Sequence, residues 1–348
     1  MVPAGSTFEI MTAIAAYHVL GPDFRIPTYL YHGTKPGSYV ISGGGDPTLR
    51  SGWTSVNPGA PTIIAFSNLA RSLGATSASY DSWLYPGAAW HPGWAPVERT
   101  NGYMAPMDAL MMDGGRADPN ATTSPRSANP AWDAGVRFAS LTGVRFDPTI
   151  RADPSQGVVG MTVSAPVRDL VSQMLRESDD VLAEAIARQV AIRLGYQGSW
   201  DQVAPAMHAV MWSLGIDPAA GVYASDGSGL SNQSNASPRF IDRLLEYIED
   251  GAGGTKELTM MLPRNGMAGS LASRLTSLPT GSVYAKTGWV DYGYGLAGYL
   301  AAADGTWLRF AVYVWKPRSG AFVTNANRDA LDRIIAASWR CGSSLAPS

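Results

Sequence analysis

The sequence predicts an α+β fold in which an antiparallel sheet is flanked by helices and a second unit is inserted. Three observations predict it. Three apolar strand-like runs, Ser282–Lys286, Tyr294–Ala302 and Thr306–Trp315, follow one another across short turns, as antiparallel neighbours do. Helical patterns lie before and after them, the closing one at Asn325–Trp339. Between about residues 50 and 160 the chain is rich in Gly, Pro and Trp and poor in helical periods, which marks an inserted, mostly β domain. The expected division is 1–45 and 163–348 for the main domain, with 46–162 inserted.

Each element has a local cause. Ser6 to Leu20 reads as a helix: Ser6 or Thr7 caps it, and Glu9 stands at the capping-box spacing from Ser6. Ile10, Ala13, Ile14 and Tyr17 form its apolar face, and Gly21-Pro22 ends it. Ser38–Ser42 is a short strand running into the loop Gly43–Pro47. Within the insertion Thr62–Leu73 reads as the one helix, and stretches such as Tyr103–Met112 read as strands and turns. Trp83, Trp90 and Trp94 read as insertion core. Ala165–Leu194 carries two apolar series, Val167, Leu170, Val171, Met174, Leu175 and then Val181, Leu182, Ala185, Ile186, Val190. The break falls at Ser178-Asp179-Asp180, where Ser178 suits a helix N-cap. Trp200–Leu214 is another helix, Asp226–Ser231 a turn, and Ser237-Pro238 opens a helix through Ile248.

Composition narrows the function. At 348 residues, 45% hydrophobic and 16% charged, the chain is globular. A net charge of −2 offers no global attraction for nucleic acid, and no apolar run is long enough to span a bilayer. One cysteine, Cys341, excludes an internal disulfide, and four scattered histidines show no ligand spacing, so no metal site is expected. The lysines are only Lys35, Lys256, Lys286 and Lys316, so a lysine base cannot come from just anywhere. No segment has the form of an export signal, so either the protein stays inside or its true N-terminus has been removed.

Three short segments carry chemistry. Ser6-Thr7-Phe8-Glu9 opens the first helix, Ser178-Asp179-Asp180 opens another, and Lys286-Thr287-Gly288 sits on a strand. A serine needs a neighbour to take its proton. A residue three along the same helix is placed to do so. An edge strand can align a peptide by strand addition, and its lysine attracts a carboxylate. The order of the three resembles that of serine acyl-transfer enzymes that recognise penicillin, with S-x-x-K, S-D-N and K-T-G.

The resemblance extends to the D-alanyl-D-alanine carboxypeptidase/endopeptidase family, peptidase family S13, and covers nearly the whole chain. It is carried also by Leu20-Gly21-Pro22-Asp23-Phe24-Arg25, Gly44-Gly45-Asp46-Pro47-Thr48-Leu49, Tyr80-Asp81-Ser82, His91-Pro92-Gly93-Trp94, Ala105–Leu110 and Asp226-Gly227-Ser228-Gly229-Leu230-Ser231. The resemblance implies a transpeptidase-like domain and cleavage of the terminal D-alanine of peptidoglycan stem peptides through an acyl-enzyme. It implies β-lactams as acylating inhibitors and an extracytoplasmic location. On this sequence the nucleophile falls on Ser6 when counted back from Leu20-Gly21-Pro22, and on Gly5 when anchored on Pro3-Ala4. Ser178 would relay a proton, Lys286 would hold the substrate carboxylate, and Thr287 and Gly288 would help bind it. The departures are Glu9 in the lysine position and Asp180 in the asparagine position. A glutamate at its ordinary pKa is a weak base, and an ionised Asp180 accepts but cannot donate. One nested subdomain of the longer family members is expected to be missing or reduced. Two readings follow: a serine peptidase with an unconventional base, or a catalytically impaired relative that binds cell-wall peptide or serves a structural role.

Overall fold

A computed structural model describes residues 1–317 and 320–345. The chain divides into two compact units. One comprises Met1–Pro22, Arg168–Leu194 and Val203–Ser348, and the other Asp23–Val167 with Gly195–Gln202. The insertion therefore starts about twenty residues earlier than expected, because the strands Pro27–His32 and Ser38–Gly43 belong to its sheet.

In the first unit the strands Val283–Val290, Gly293–Ala301 and Trp307–Trp315 form an antiparallel sheet with Gly293–Ala301 in the centre. Strand alternation gives the sheet two faces. Val283, Ala285, Leu296 and Leu300 pack with Ile335 of the Asn325–Cys341 helix and with Leu271. On the other face Tyr299 donates its hydroxyl to the carbonyl of Leu245, and Arg309 pairs with Asp242 of the Pro238–Asp250 helix. Ser237 caps that helix by accepting from the Phe240 N–H. The Glu9–Val19 and Asp180–Arg193 helices are buried almost all round, as core helices are.

The first helix begins differently from its sequence reading. Gly5–Phe8 is a 3-10 turn leading into an α-helix from Glu9 to Val19, and no side chain caps either segment. Glu9 makes no capping box, because its carboxylate is drawn elsewhere. The helices around the second motif run Val167–Glu177 and Asp180–Arg193. Asp179, not Ser178, is the N-cap, accepting from the Leu182 N–H at 3.2 Å.

The second unit holds a five-stranded sheet in the order Arg145–Phe146, Ser77–Asp81, Ser38–Gly43, Pro27–His32, Val158–Val163. Its first two pairings are parallel and its last two antiparallel. The parallel pairs need crossovers, which Ile63–Ser72 and Pro130–Thr142 supply. Phe66 and Phe138 from these helices pack on Leu30, Ile41 and Ala78. The insertion thus contains more helix than its composition suggested. Pro130 at the first turn and Gly143 in the left-handed conformation just past the end are ordinary helix boundaries. Tyr103–Met112 forms no strand. Trp94 is core, whereas Trp83 is 72% exposed.

Candidate active site

Every residue singled out in the three motifs lies in the first unit. The 3-10 turn carrying Ser6 sits against the backbone of the Val283–Val290 strand. Gly5 has φ +51°, and a Cβ built on it would lie 2.6 Å from the Trp289 nitrogen. Only glycine fits this left-handed backbone and close approach. Position 5 therefore cannot take a side chain, whereas its neighbour Ser6 carries a hydroxyl. Thr7 fastens the turn by donating to the Ala4 carbonyl at 2.7 Å, and its hydroxyl lies 2.8 Å from that of Tyr313.

Glu9 lies three residues beyond Ser6, with its N–H directed at the Ser6 and Thr7 carbonyls. Its side chain is fully buried and meets both other motifs. Ser178 donates its hydroxyl to Glu9 Oε1 at 3.2 Å, and Lys286 Nζ pairs with the same oxygen at 3.3 Å. Lys286 Nζ also donates to Ser178 Oγ at 2.6 Å and to the Thr287 carbonyl at 3.2 Å. Ser178 is held at φ +56° between the two helices, which is how a residue next to a helix N-cap comes to face Glu9 and Lys286. Asp180 is buried at the first position of its helix. Thr287 Oγ1 donates to Ser270 Oγ at 3.1 Å. The structure thus brings Glu9, Ser178 and Lys286 into direct contact and places Ser6 one turn before Glu9.

Burial sets the electrostatics. It pushes the Glu9 carboxyl up to about 8, with the opposing attraction of Lys286 only partly offsetting it. Asp180 is raised well above its ordinary value by burial, then by repulsion from Glu9. Lys286 is lowered by burial against the pull of Glu9 and Asp180. The Glu9 carboxyl therefore departs from the ordinary glutamate value that the sequence suggested. A carboxylate with a pKa near 8 is well matched to proton transfer around neutral pH. Glu9 Oε2 and Asp180 Oδ1 have no hydrogen-bond partner among the described residues.

A second buried acid pair lies against the segment that carries Ser6. Glu184 Oε1 accepts from the Gly227 and Ser228 N–H groups at 2.7 and 2.8 Å. Asp226 accepts from the N–H groups of Gly229 and Ser231 and from the Ser234 hydroxyl. Thr12 of the first helix donates to the Gly227 carbonyl at 2.6 Å. The loop so fixed presses Gly229 onto the Gly5 carbonyl, where a Cβ would lie 2.2 Å away. The turn reading of Asp226–Ser231 holds in the backbone, but the part played by Glu184 was missed. Its one signal was a lone acid inside the apolar stretch Val181–Val190.

A serine at a helix start, a hydroxyl at a helix junction and a lysine on an adjacent strand define the class of serine acyl-transfer enzymes. The chain matches the D-Ala-D-Ala carboxypeptidase 3 (S13) family over residues 1–145 and 126–338, and it belongs to that family. It is 34% identical to carboxypeptidase DacB of Mycolicibacterium smegmatis over 361 residues, covering 98% of this chain and 76% of that one. Its fold is similar to that of penicillin binding protein 4 (dacB) from Haemophilus influenzae, with a TM-score of 0.76 at 20% identity over 97% of this chain and 91% of that one. The same protein complexed with a β-lactam gives 0.72 at 18% identity over 97% and 90%.

Proposed function

We propose that this protein is a serine-type D-Ala-D-Ala carboxypeptidase/endopeptidase acting on peptidoglycan stem peptides, with Glu9 as an unconventional base. One observation carries the reading: the Ser178 hydroxyl accepts from Lys286 and donates to Glu9, an oriented path for a proton ending on a carboxyl near pKa 8. Ser6 Oγ forms a bond to the scissile carbonyl carbon. Its proton passes to Ser178, whose own proton moves to Glu9. Lys286 stabilises the negative charge that develops on Ser178 during the transfer. The C–N bond then breaks, the proton returns through Ser178 to the leaving amine, and water releases the acyl group from Ser6. Thr287 and Gly288 align the peptide along the strand edge. The reaction takes place outside the cytoplasm, where stem peptides are cross-linked. No helix among the described residues is long and apolar enough to cross a membrane.

The test is intact-protein mass spectrometry after incubation with a penicillin. The expected result is a gain of one drug mass that disappears in Ser6→Ala. A well-folded protein with no adduct would sink the catalytic reading.

A second reading, the impaired relative that binds without cleaving, is favoured by the pairing of Lys286 with Glu9, which engages the single lysine of the site. Glu9→Lys combined with Asp180→Asn separates the two. An adduct appearing only in that double variant supports the second reading. An adduct on the unaltered protein removes it.

A further inference from the structure

We infer that Tyr313 is a positioning residue for Ser6: its hydroxyl, acting through Thr7, fixes the 3-10 turn that carries the nucleophile. The inference rests on the proposed peptidase reading for the role of Ser6. No side chain caps the Gly5–Phe8 turn, so its geometry needs another anchor. Thr7 supplies the near half of one, donating to the Ala4 carbonyl at 2.7 Å. A hydroxyl has one proton to give, and Thr7 directs its proton at Ala4. In the 2.8 Å contact between the two hydroxyls, Tyr313 is therefore the donor and Thr7 the acceptor.

The sheet is built to let Tyr313 reach. It stands on the outer strand Trp307–Trp315, where it faces Gly295 of the central strand, and Gly295 in turn faces Gly288 of Val283–Val290. One rung of the sheet thus carries a tyrosine and two glycines. Neither glycine has a positive φ, so what each supplies is space for a close approach. A Cβ on Gly295 would lie 2.5 Å from the Tyr313 ring and 3.2 Å from Thr7 Cγ2. One on Gly288 would lie 2.4 Å from the Ala4 oxygen. The bare rung lets the ring lie across the central strand while Ala4 and Thr7 settle on the sheet. Burial holds the Tyr313 hydroxyl above its ordinary value, so it keeps its proton across the range in which Glu9 titrates.

The test is Tyr313→Phe, which keeps the ring and deletes the donor. The first readout is hydrogen exchange followed by mass spectrometry. Exchange in Gly5–Glu9 should quicken by about three- to tenfold, the worth of one hydrogen bond, with the rest of the sheet unchanged. The second readout is penicillin acylation. The rate at saturating drug should fall by about tenfold or more, because Ser6 is misplaced. The half-saturating concentration and the midpoint of the pH profile should stay in place, because the binding edge and Glu9 are untouched. Thr7→Val removes the acceptor and should show the same two changes, and the double variant should be no slower than Thr7→Val alone. Thr7→Ser keeps the hydroxyl and should exchange like the unaltered protein. Unchanged exchange in Gly5–Glu9 of Tyr313→Phe overturns the inference. So does faster exchange throughout the sheet, which would make Tyr313 a general strut, and so do losses that multiply in the double variant. The exchange readout needs no turnover. A protein that never acylates therefore removes the peptidase reading, while exchange still decides whether Tyr313 fixes the turn.

Discussion

Two buried acid clusters stand on either side of the segment that carries Ser6, and they are built on opposite principles. Around Asp226 and Glu184 the carboxylates take hydrogen bonds from main-chain N–H groups and local hydroxyls, and the result is a fixed loop. Around Glu9 the partners are one lysine and one serine hydroxyl, and Glu9 Oε2 and Asp180 Oδ1 lack hydrogen-bond partners among the described residues, as does Glu184 Oε2 in the first cluster. A carboxylate satisfied by backbone donors builds structure. A carboxylate held by a movable proton and a buried cation is poised for proton transfer, and stability is lost to keep it there. The comparison predicts that substitutions in the two clusters fail in different ways.

The largest effect is expected at Glu9. Glu9→Gln keeps the volume but removes the proton acceptor, so penicillin acylation of Ser6 should fall by roughly two to four orders of magnitude. Its melting temperature should hold or rise, because a buried acid has been replaced by a neutral amide. Stopped-flow acylation beside thermal melting checks both, and a Glu9→Gln protein that acylates at the original rate would break the comparison. Asp226→Ala should do the reverse. It leaves the Gly229 and Ser231 N–H groups and the Ser234 hydroxyl without their acceptor, and should destabilise by about 3–5 kcal/mol. Denaturant unfolding measures it.

The pH dependence sharpens the contrast, because rate and stability should move in opposite directions. Glu9 must be ionised to accept a proton, so the acylation rate should rise with pH and level off above about 8. For stability, the folded carboxyl at about 8 lies above its ordinary 4.5, so the folded state retains a proton that the unfolded chain has released. Stability is therefore fully present below about 4.5 and is lost as pH rises to about 8, on the order of 5 kcal/mol. Asp180, also raised, acts with the same sign, as does Glu184 up to about 7. Lys286, lowered from 10.5, acts with the opposite sign at higher pH. Melting curves between pH 5 and 8 for the protein and for Glu9→Gln isolate the Glu9 share. A slope that is the same in both would remove Glu9 as its source.

The sheet and the main helices were legible because each has a simple pattern. Strand boundaries at Val283, Gly293 and Trp307 fall within a residue of those expected, and the break at Ser178–Asp180 is where the apolar series changes phase. The motif residues were legible as positions but not as chemistry. Glu9 looked like a capping acid because three-residue spacing from Ser6 is a local signal. What it bonds to is 169 residues away at Ser178 and farther still at Lys286, and no local pattern records that. Lys286 was expected, from the family resemblance, to hold a substrate carboxylate, and its contacts with Glu9 and Ser178 left no trace in the local sequence. The insertion was misjudged where Pro and Gly, read as loop punctuation, were the start and stop of the Pro130–Thr142 helix.

The smallest expected effect tests the boundary between the two principles at Asp179, which belongs to both. Its carboxylate caps the Asp180–Arg193 helix through the Leu182 N–H, and its charge adds to the upward pressure on Glu9 and Asp180. Asp179→Asn keeps a capping oxygen and deletes the charge, while Asp179→Ser keeps a cap with a shorter reach. Both should leave stability nearly unchanged, whereas Asp179→Ala should lose about 1 kcal/mol, the usual worth of an N-cap. All three should lower the pKa of Glu9, moving the midpoint of the acylation pH profile downward, because the repulsive charge is gone in each. A midpoint that follows the loss of stability, moving only in Asp179→Ala, would assign the shift to displacement of Ser178. A midpoint that moves equally in all three assigns it to the charge, and with it the coupling of the helix cap to the Glu9 carboxyl.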